Sequence, residues 1–199
     1  MLNIGVLVSG GGTNLQALLD AEKNGVIQHG KIVTVVSNKP GVYALERAQQ
    51  AGVDASVISK KDCRDAEEFN ERLCAHMEQH RVDLVVMAGF LAIIGGRFLS
   101  VYQNRILNIH PSLIPSFCGD GFYGLKVHQA ALDYGVKITG ATVHLVNEIT
   151  DGGKILMQKA VEVKPGDTPE LLQKRVMEEA EWVILPEAVE RFCSGQLEK

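Results

Sequence analysis

Short apolar runs alternate with stretches where apolar residues recur every three or four positions, and this rhythm continues along most of the chain. Leu2 to Ser9 carries Ile4, Val6, Leu7 and Val8 in one run, which predicts a buried strand. After Ser9-Gly10-Gly11-Gly12-Thr13-Asn14, residues Leu15, Leu18 and Leu19 return at helical spacing. Ile32 to Val36 repeats the strand pattern, and Val42 to Ala51 reads as a helix closed by Gly52. Val53 to Ile58 predicts a short strand. Asp65 to His80 predicts a longer helix with Phe69, Leu73 and Met77 on one face. Val82 to Ala88 is apolar on both faces, as in the middle of a parallel sheet covered by helices on each side.

The second half is punctuated more sharply. Arg105 to His110 reads as a strand that must stop at Pro111, which has no N–H to give to a ladder. A glycine-rich loop runs from Ser112 to Gly124, and Leu125 to Tyr134 reads as a helix ended by Gly135. Ile138 to Val146 alternates as a strand, with Ile155 to Val163 as its antiparallel partner across the turn-rich Asn147-to-Gly153 connection. Thr168-Pro169-Glu170 opens a last helix with a cap, a first-turn proline and an acid, and Pro186 should kink or restart it. Together these elements predict an α/β fold. It is Rossmann-like, with a mostly parallel twisted sheet, helices on both faces and an antiparallel pair in the C-terminal half.

Composition narrows the classes. At 199 residues the chain suits one α/β domain and is short for two. A net charge of −4 without any basic run argues against nucleic acid as a partner. The N-terminus lacks a basic region followed by an apolar core, and no stretch is long enough to span a bilayer, so neither secretion nor membrane insertion is expected. Cys63, Cys74, Cys118 and Cys193 are scattered, which suits reduced thiols in a cytoplasmic protein better than zinc or disulfides. Either a monomer or a homodimer is compatible with these features.

Candidate chemistry centres on the strand that Pro111 ends. Alternation puts Asn108 and His110 on one face, delivering an amide and an imidazole side by side. The amide can hydrogen-bond an oxyanion, and the imidazole can move a proton near neutral pH. The Gly10-to-Asn14 turn presents free N–H groups at a helix N-terminus, suited to a phosphate. It is a poor dinucleotide fingerprint: Leu15 takes the third glycine's place, and Ser37-Asn38-Lys39-Pro40 offers no carboxylate for a ribose. Asn38 and Lys39 could touch a phosphate or ribose, or serve only as turn residues. Gly89-Phe90-Leu91-Ala92-Ile93-Ile94 could wall a pocket for a flat aromatic ligand or cap the core. His76 and His80 have metal-ligand spacing but no visible third ligand, so they read as an exposed helix flank. His144 reads as a structural histidine, and Cys118 as a loop thiol.

Asn108-Ile109-His110-Pro111-Ser112-Leu113-Ile114-Pro115, followed by Asp151-Gly152-Gly153 and preceded by the Ser9-to-Leu15 turn, resembles the folate-dependent formyltransferases over almost the whole chain. The resemblance implies a catalytic trio of Asn108, His110 and Asp151, a ribonucleotide phosphate turn of Gly12, Thr13 and Asn14, and an acid at Glu181 for the glycinamide substrate. It also implies a folate pocket of Leu91, Ala92, Ile93, Ile94, Val146 and the backbone around Asp151. The implied reaction passes the formyl group of 10-formyltetrahydrofolate to the amine of a phosphoribosylglycinamide in purine synthesis, without a metal. The N-terminal half would then bind the ribonucleotide, and the C-terminal half would bind folate and carry the catalysis. In such a reaction Asn108 and a protonated His110 would stabilise the tetrahedral oxyanion, and Asp151 should raise the His110 pKa.

Three features depart from the family pattern. Ala92 stands where the family often has arginine, the 116–124 loop is longer, and Arg64 falls only near the position of a family arginine. Rival readings remain a formyltetrahydrofolate hydrolase, in which water replaces the amine, and a non-catalytic nucleotide- or NADP-binding module. A methionyl-tRNA formyltransferase would share the trio but need a further domain and RNA contacts.

Overall fold

The computed structural model describes residues 1–197. Among them, seven strands form one sheet: β1 Leu2–Val8, β2 Gly30–Ser37, β3 Asp54–Val57, β4 Leu84–Met87, β5 Ile106–His110, β6 Ile138–Leu145 and β7 Ile155–Glu162. The spatial order is β3-β2-β1-β4-β5-β6-β7. β3, β2, β1, β4 and β5 run parallel, and β6 is antiparallel to both β5 and β7. The expected mostly parallel α/β sheet is present, and the antiparallel pair is an extension of it.

Side-chain alternation divides the core between two layers. Ile4, Val6 and Val8 of β1 pack with Leu15 and Leu18 of α1 Thr13–Lys23 and Ala44 and Ala48 of α2 Tyr43–Gln50. Leu7 faces the opposite layer, with Phe69, Leu73 and Met77 of α3 Ala66–Gln79 and Phe98 of α4 Gly96–Val101. The α4 turn lies in a stretch where the apolar pattern predicts no element. α5 Leu125–Tyr134, α6 Pro169–Val176 and α7 Trp182–Cys193 join the first layer through Ala131, Leu172, Val176, Leu185 and Val189. The Thr168 cap and the Gly135 stop behave as the sequence predicts, and Asp65 adds a further cap. The Asp65 side chain accepts from the Glu68 N–H, and the Thr168 side chain accepts from that of Leu171. Gly135 closes α5 in the left-handed region at φ 81°.

Pro186 acts one turn earlier than the expected kink. It lies inside α7, and the irregularity is a π-turn over Met177–Glu181. A proline ring collides with the carbonyl four residues back, here Trp182, and widening the preceding turn relieves the crowding. The wide turn ends on Glu181.

His76 and His80 are a correction to the sequence reading. The third group that the sequence hides is Asp54, on the edge strand β3, whose Oδ2 lies 3.7 Å from His76 Nε2 and 3.4 Å from His80 Nε2.

Candidate active site

Ligands of open α/β sheets bind beyond the carboxyl ends of the strands where the strand order reverses. Here that place lies between β1 and β4. A Ser9 hydroxyl ties the two loops together there, donating to Asn38 Oδ1 at 2.6 Å and accepting the Leu91 N–H at 2.8 Å. Asn38 is thereby committed to Ser9. Lys39 makes a tight turn with Ser37 through its own N–H and carbonyl. Both are turn residues, as one of the two sequence readings has it.

A cavity of about 480 Å³ opens beside this junction. Asn108, His110, His144 and Asp151 line its floor, Leu91 to Ile94 and Val146 form one wall, and Asn14, Met177 and Glu181 close another side. Ala92 and Ile94 turn into the core, while Leu91 and Ile93 stand exposed, Ile93 at 74%. Gly12 and Thr13 are not among the lining residues. Gly12 has φ 75°, and a Cβ there would lie 2.7 Å from Ala44 Cβ, so its glycine is required by the backbone and by α2. Gly10 and Gly11 give their carbonyls to the Ala44 N–H and Arg47 Nε, and a Cβ on either would meet open space. The first N–H groups of α1 have no partner within the helix.

Asp151 joins the floor from the β6–β7 connection with φ 54°, in the left-handed region that non-glycine residues rarely adopt. The connection doubles back so tightly that a Cβ at Gly153 would run into the Leu145 carbonyl. One carboxylate oxygen accepts the Gly119 N–H at 2.9 Å and lies 3.5 Å from His110 Nδ1. The other lies 3.4 Å from Asn108 Nδ2 and 3.5 Å from His144 Nε2. His110 Nε2 donates to the Phe117 carbonyl at 2.9 Å. The long 116–124 loop thus holds both His110 and Asp151 by backbone groups.

A formyl transferase family model matches residues 2–189, nearly the whole chain. The chain belongs to the formyl transferase family. It is 39% identical over 197 residues to the phosphoribosylglycinamide formyltransferase of Haemophilus influenzae, covering 99% of this chain and 90% of that protein. It is 42% identical to the trifunctional purine biosynthetic protein adenosine-3 of Gallus gallus, but spans only 19% of that protein's length. Among solved structures, glycinamide ribonucleotide transformylase 1 of Symbiobacterium toebii superposes with a TM-score of 0.94 at 43% identity, covering 100% of this chain and 91% of that one.

In this formyl transferase, His144 is the site residue that the sequence reading misses. The β5–β6 register sets it opposite Asn108. Its Nδ1 donates to the Leu145 carbonyl at 2.8 Å, so in the neutral ring Nε2 accepts from Asn108 Nδ2 at 3.0 Å. One amide hydrogen of Asn108 is held there, and the other is spent only on the long contact to Asp151. His128 is a second missed neighbour. It is buried on the cavity wall with neither ring nitrogen hydrogen-bonded, and burial, helped by the nearby His110, lowers its pKa to about 4.

The His110 pKa expectation is corrected. Burial pushes the imidazole below its ordinary value, outweighing the upward pull of the Phe117 carbonyl and Asp151. Asp151 itself feels burial as an upward push. The close approach of His144, the Gly119 N–H and the neighbouring His110 overcome it and hold the carboxyl below its usual value. Across the cavity, Asn14 Nδ2 donates to Glu181 Oε2 at 2.7 Å while Asn14 Oδ1 is buried without a partner. Burial drives the Glu181 carboxyl up to about 7, against the pull of Asn14. Residues from both halves of the chain therefore meet on one cavity. Arg64 is exposed just ahead of α3 and bonds Glu68 in the first turn of that helix. Cys118 gives its thiol proton to the Pro115 carbonyl and is raised in pKa by burial, then by Asp151, which leaves it an unactivated loop thiol.

Among the described residues no helix is long and apolar enough to cross a membrane, and all four cysteines are free thiols.

Proposed function

We infer that this protein transfers the formyl group of 10-formyltetrahydrofolate to the amine of phosphoribosylglycinamide, giving N-formylglycinamide ribonucleotide and tetrahydrofolate. The observation that carries this reading is the convergence of Asn108, His110 and Asp151 between an exposed apolar wall and the buried Asn14–Glu181 pair. Leu91, Ile93 and Val146 suit the flat pterin of the donor. At the other end, a donor group on the glycinamide would satisfy the unpartnered Asn14 Oδ1 beside Glu181. The N-terminal end of α1, with Gly12 and Thr13, takes the phosphate.

Attack of the amine on the formyl carbon creates an oxyanion. Asn108 donates to it with the amide hydrogen now spent on the long Asp151 contact, while His144 accepts the other hydrogen of the same nitrogen and holds the amide in place. The Phe117 carbonyl occupies the acceptor position at His110 Nε2, and the oxyanion takes its place there. As Nε2 turns to the oxyanion, His110 is stabilised as imidazolium by Asp151 on its other nitrogen. The amine then loses a proton and the folate nitrogen gains one, with His110 carrying it directly or through water. The free thiols suit a reducing compartment, and the cytoplasm is the setting for this reaction.

Purified protein supplied with both substrates should release tetrahydrofolate only when the glycinamide ribonucleotide is present. Release without the amine substrate would make the protein a hydrolase. Release in neither case, with NADP binding instead, would overturn the reading.

A further inference from the structure

Beyond the cavity, at the opposite end of the sheet, Asp54, His76 and His80 bring their ligand atoms within 4.8 Å of one another. We propose that these three side chains bind one zinc ion that clips the edge strand β3 to the end of α3.

The geometry matches the ion. Zinc at about 2.0–2.1 Å from tetrahedral ligands needs those atoms roughly 3.3–3.4 Å apart. Asp54 Oδ2 lies 3.4 Å from His80 Nε2 and 3.7 Å from His76 Nε2, and all three ligand atoms lie within 4.8 Å of one another, so rotation of the two imidazoles toward each other closes the site. His80 Nδ1 donates to the His76 carbonyl at 2.9 Å, which fixes its tautomer and leaves the Nε2 lone pair of the neutral ring facing a carboxylate. Two lone pairs facing each other repel unless a cation lies between them. The buried Thr34 hydroxyl lies 2.8 Å from both Asp54 Oδ2 and His76 Nε2 and holds these two ligand atoms side by side; the lone pair of His76 Nε2 turns from the hydroxyl to the ion when zinc binds. His80 caps the C-terminus of α3, where the helix dipole favours positive charge. Asp54 is 44% exposed and His80 23%, so the ion has a route in, and water can complete its coordination. Two imidazoles and one carboxylate are a nitrogen-rich set that suits zinc over calcium or magnesium.

The test uses the full chain stripped with a chelator and titrated with zinc chloride by calorimetry. One equivalent should bind and raise the melting temperature, and both effects should be lost in His80→Gln and in Asp54→Asn. Cobalt should give visible ligand-field absorption in the parent and none in these variants. Formyl transfer by metal-free His80→Gln should match the metal-free parent, because His80 lies outside the cavity. The active-site histidines are the rival zinc site. An equivalent that persists in both variants would place the ion there and overturn the proposal. Absence of any bound equivalent in the parent would leave only a proton bridging His80 and Asp54, and would overturn it as well. Metal-free unfolding curves that overlay the parent's establish that the variants are folded, and either variant alone decides the question.

Discussion

Replacing Glu181 by glutamine isolates the cost of one buried carboxyl. Glu181 is 6% exposed, and among the described residues its one hydrogen bond comes from Asn14. In the unfolded chain its pKa is near the ordinary 4.5, and burial raises it to about 7 in the fold. The protonated form is therefore the one the fold prefers. Its stabilisation is present below pH 4.5 and lost as pH rises through about 7. At 1.36 kcal/mol for each tenfold change, that difference amounts to about 3 kcal/mol. Glutamine keeps the shape and an acceptor for Asn14 but never ionises, so Glu181→Gln should escape this loss. Guanidinium unfolding of both proteins at pH 5 and pH 8.5 measures it directly. The stability of the variant relative to the parent should grow by about 2–3 kcal/mol between those pH values. In a chain of this length that is about 4–12 °C in Tm. Parallel curves, with the difference constant within about 0.5 kcal/mol, would refute the argument and mean that Glu181 stays ionised at neutral pH despite its burial.

Asp151→Asn removes the charge facing His110 while keeping the side chain's size, and should lower turnover by about 10²–10³-fold with the fold intact, read from tetrahydrofolate release and circular dichroism. His144→Ala frees the Asn108 amide to rotate and should cost roughly 10²-fold in kcat with a smaller change in KM. A KM effect alone would mean that His144 contacts substrate rather than orienting Asn108. Gly12→Ala puts a methyl against Ala44 in a left-handed backbone and should destabilise the protein by about 2–4 kcal/mol in thermal unfolding, with no pH dependence.

Much of the site was legible in the chain because its parts are local motifs. Asn108 and His110 share a face through the two-residue repeat of a strand, and Pro111 ends that strand where it should. Leu91 to Ile94 declared itself as an apolar loop after a strand buried on both faces, and it does wall the cavity. His144 is the satisfied structural histidine that the sequence suggests, but its role in holding Asn108 was not legible. Its partner is set by the antiparallel register of β5 and β6, and nothing within a few residues of position 144 encodes that register. The contact between Asn14 and Glu181, 167 residues apart, is equally invisible in the local sequence.

By itself, then, the sequence determined the order and type of all seven strands and most of the helices, which residues share a face, and the family through its motifs. These depend on steric and hydrogen-bonding preferences that act within a turn or two of the backbone. Only the tertiary structure decided that His144 holds Asn108, that the 116–124 loop caps His110, that Asp54 completes the His76–His80 pair, and that burial outweighs Asp151 in setting the His110 charge. Those outcomes depend on distances across the sheet and on exclusion of water, which exist only once distant segments have packed together.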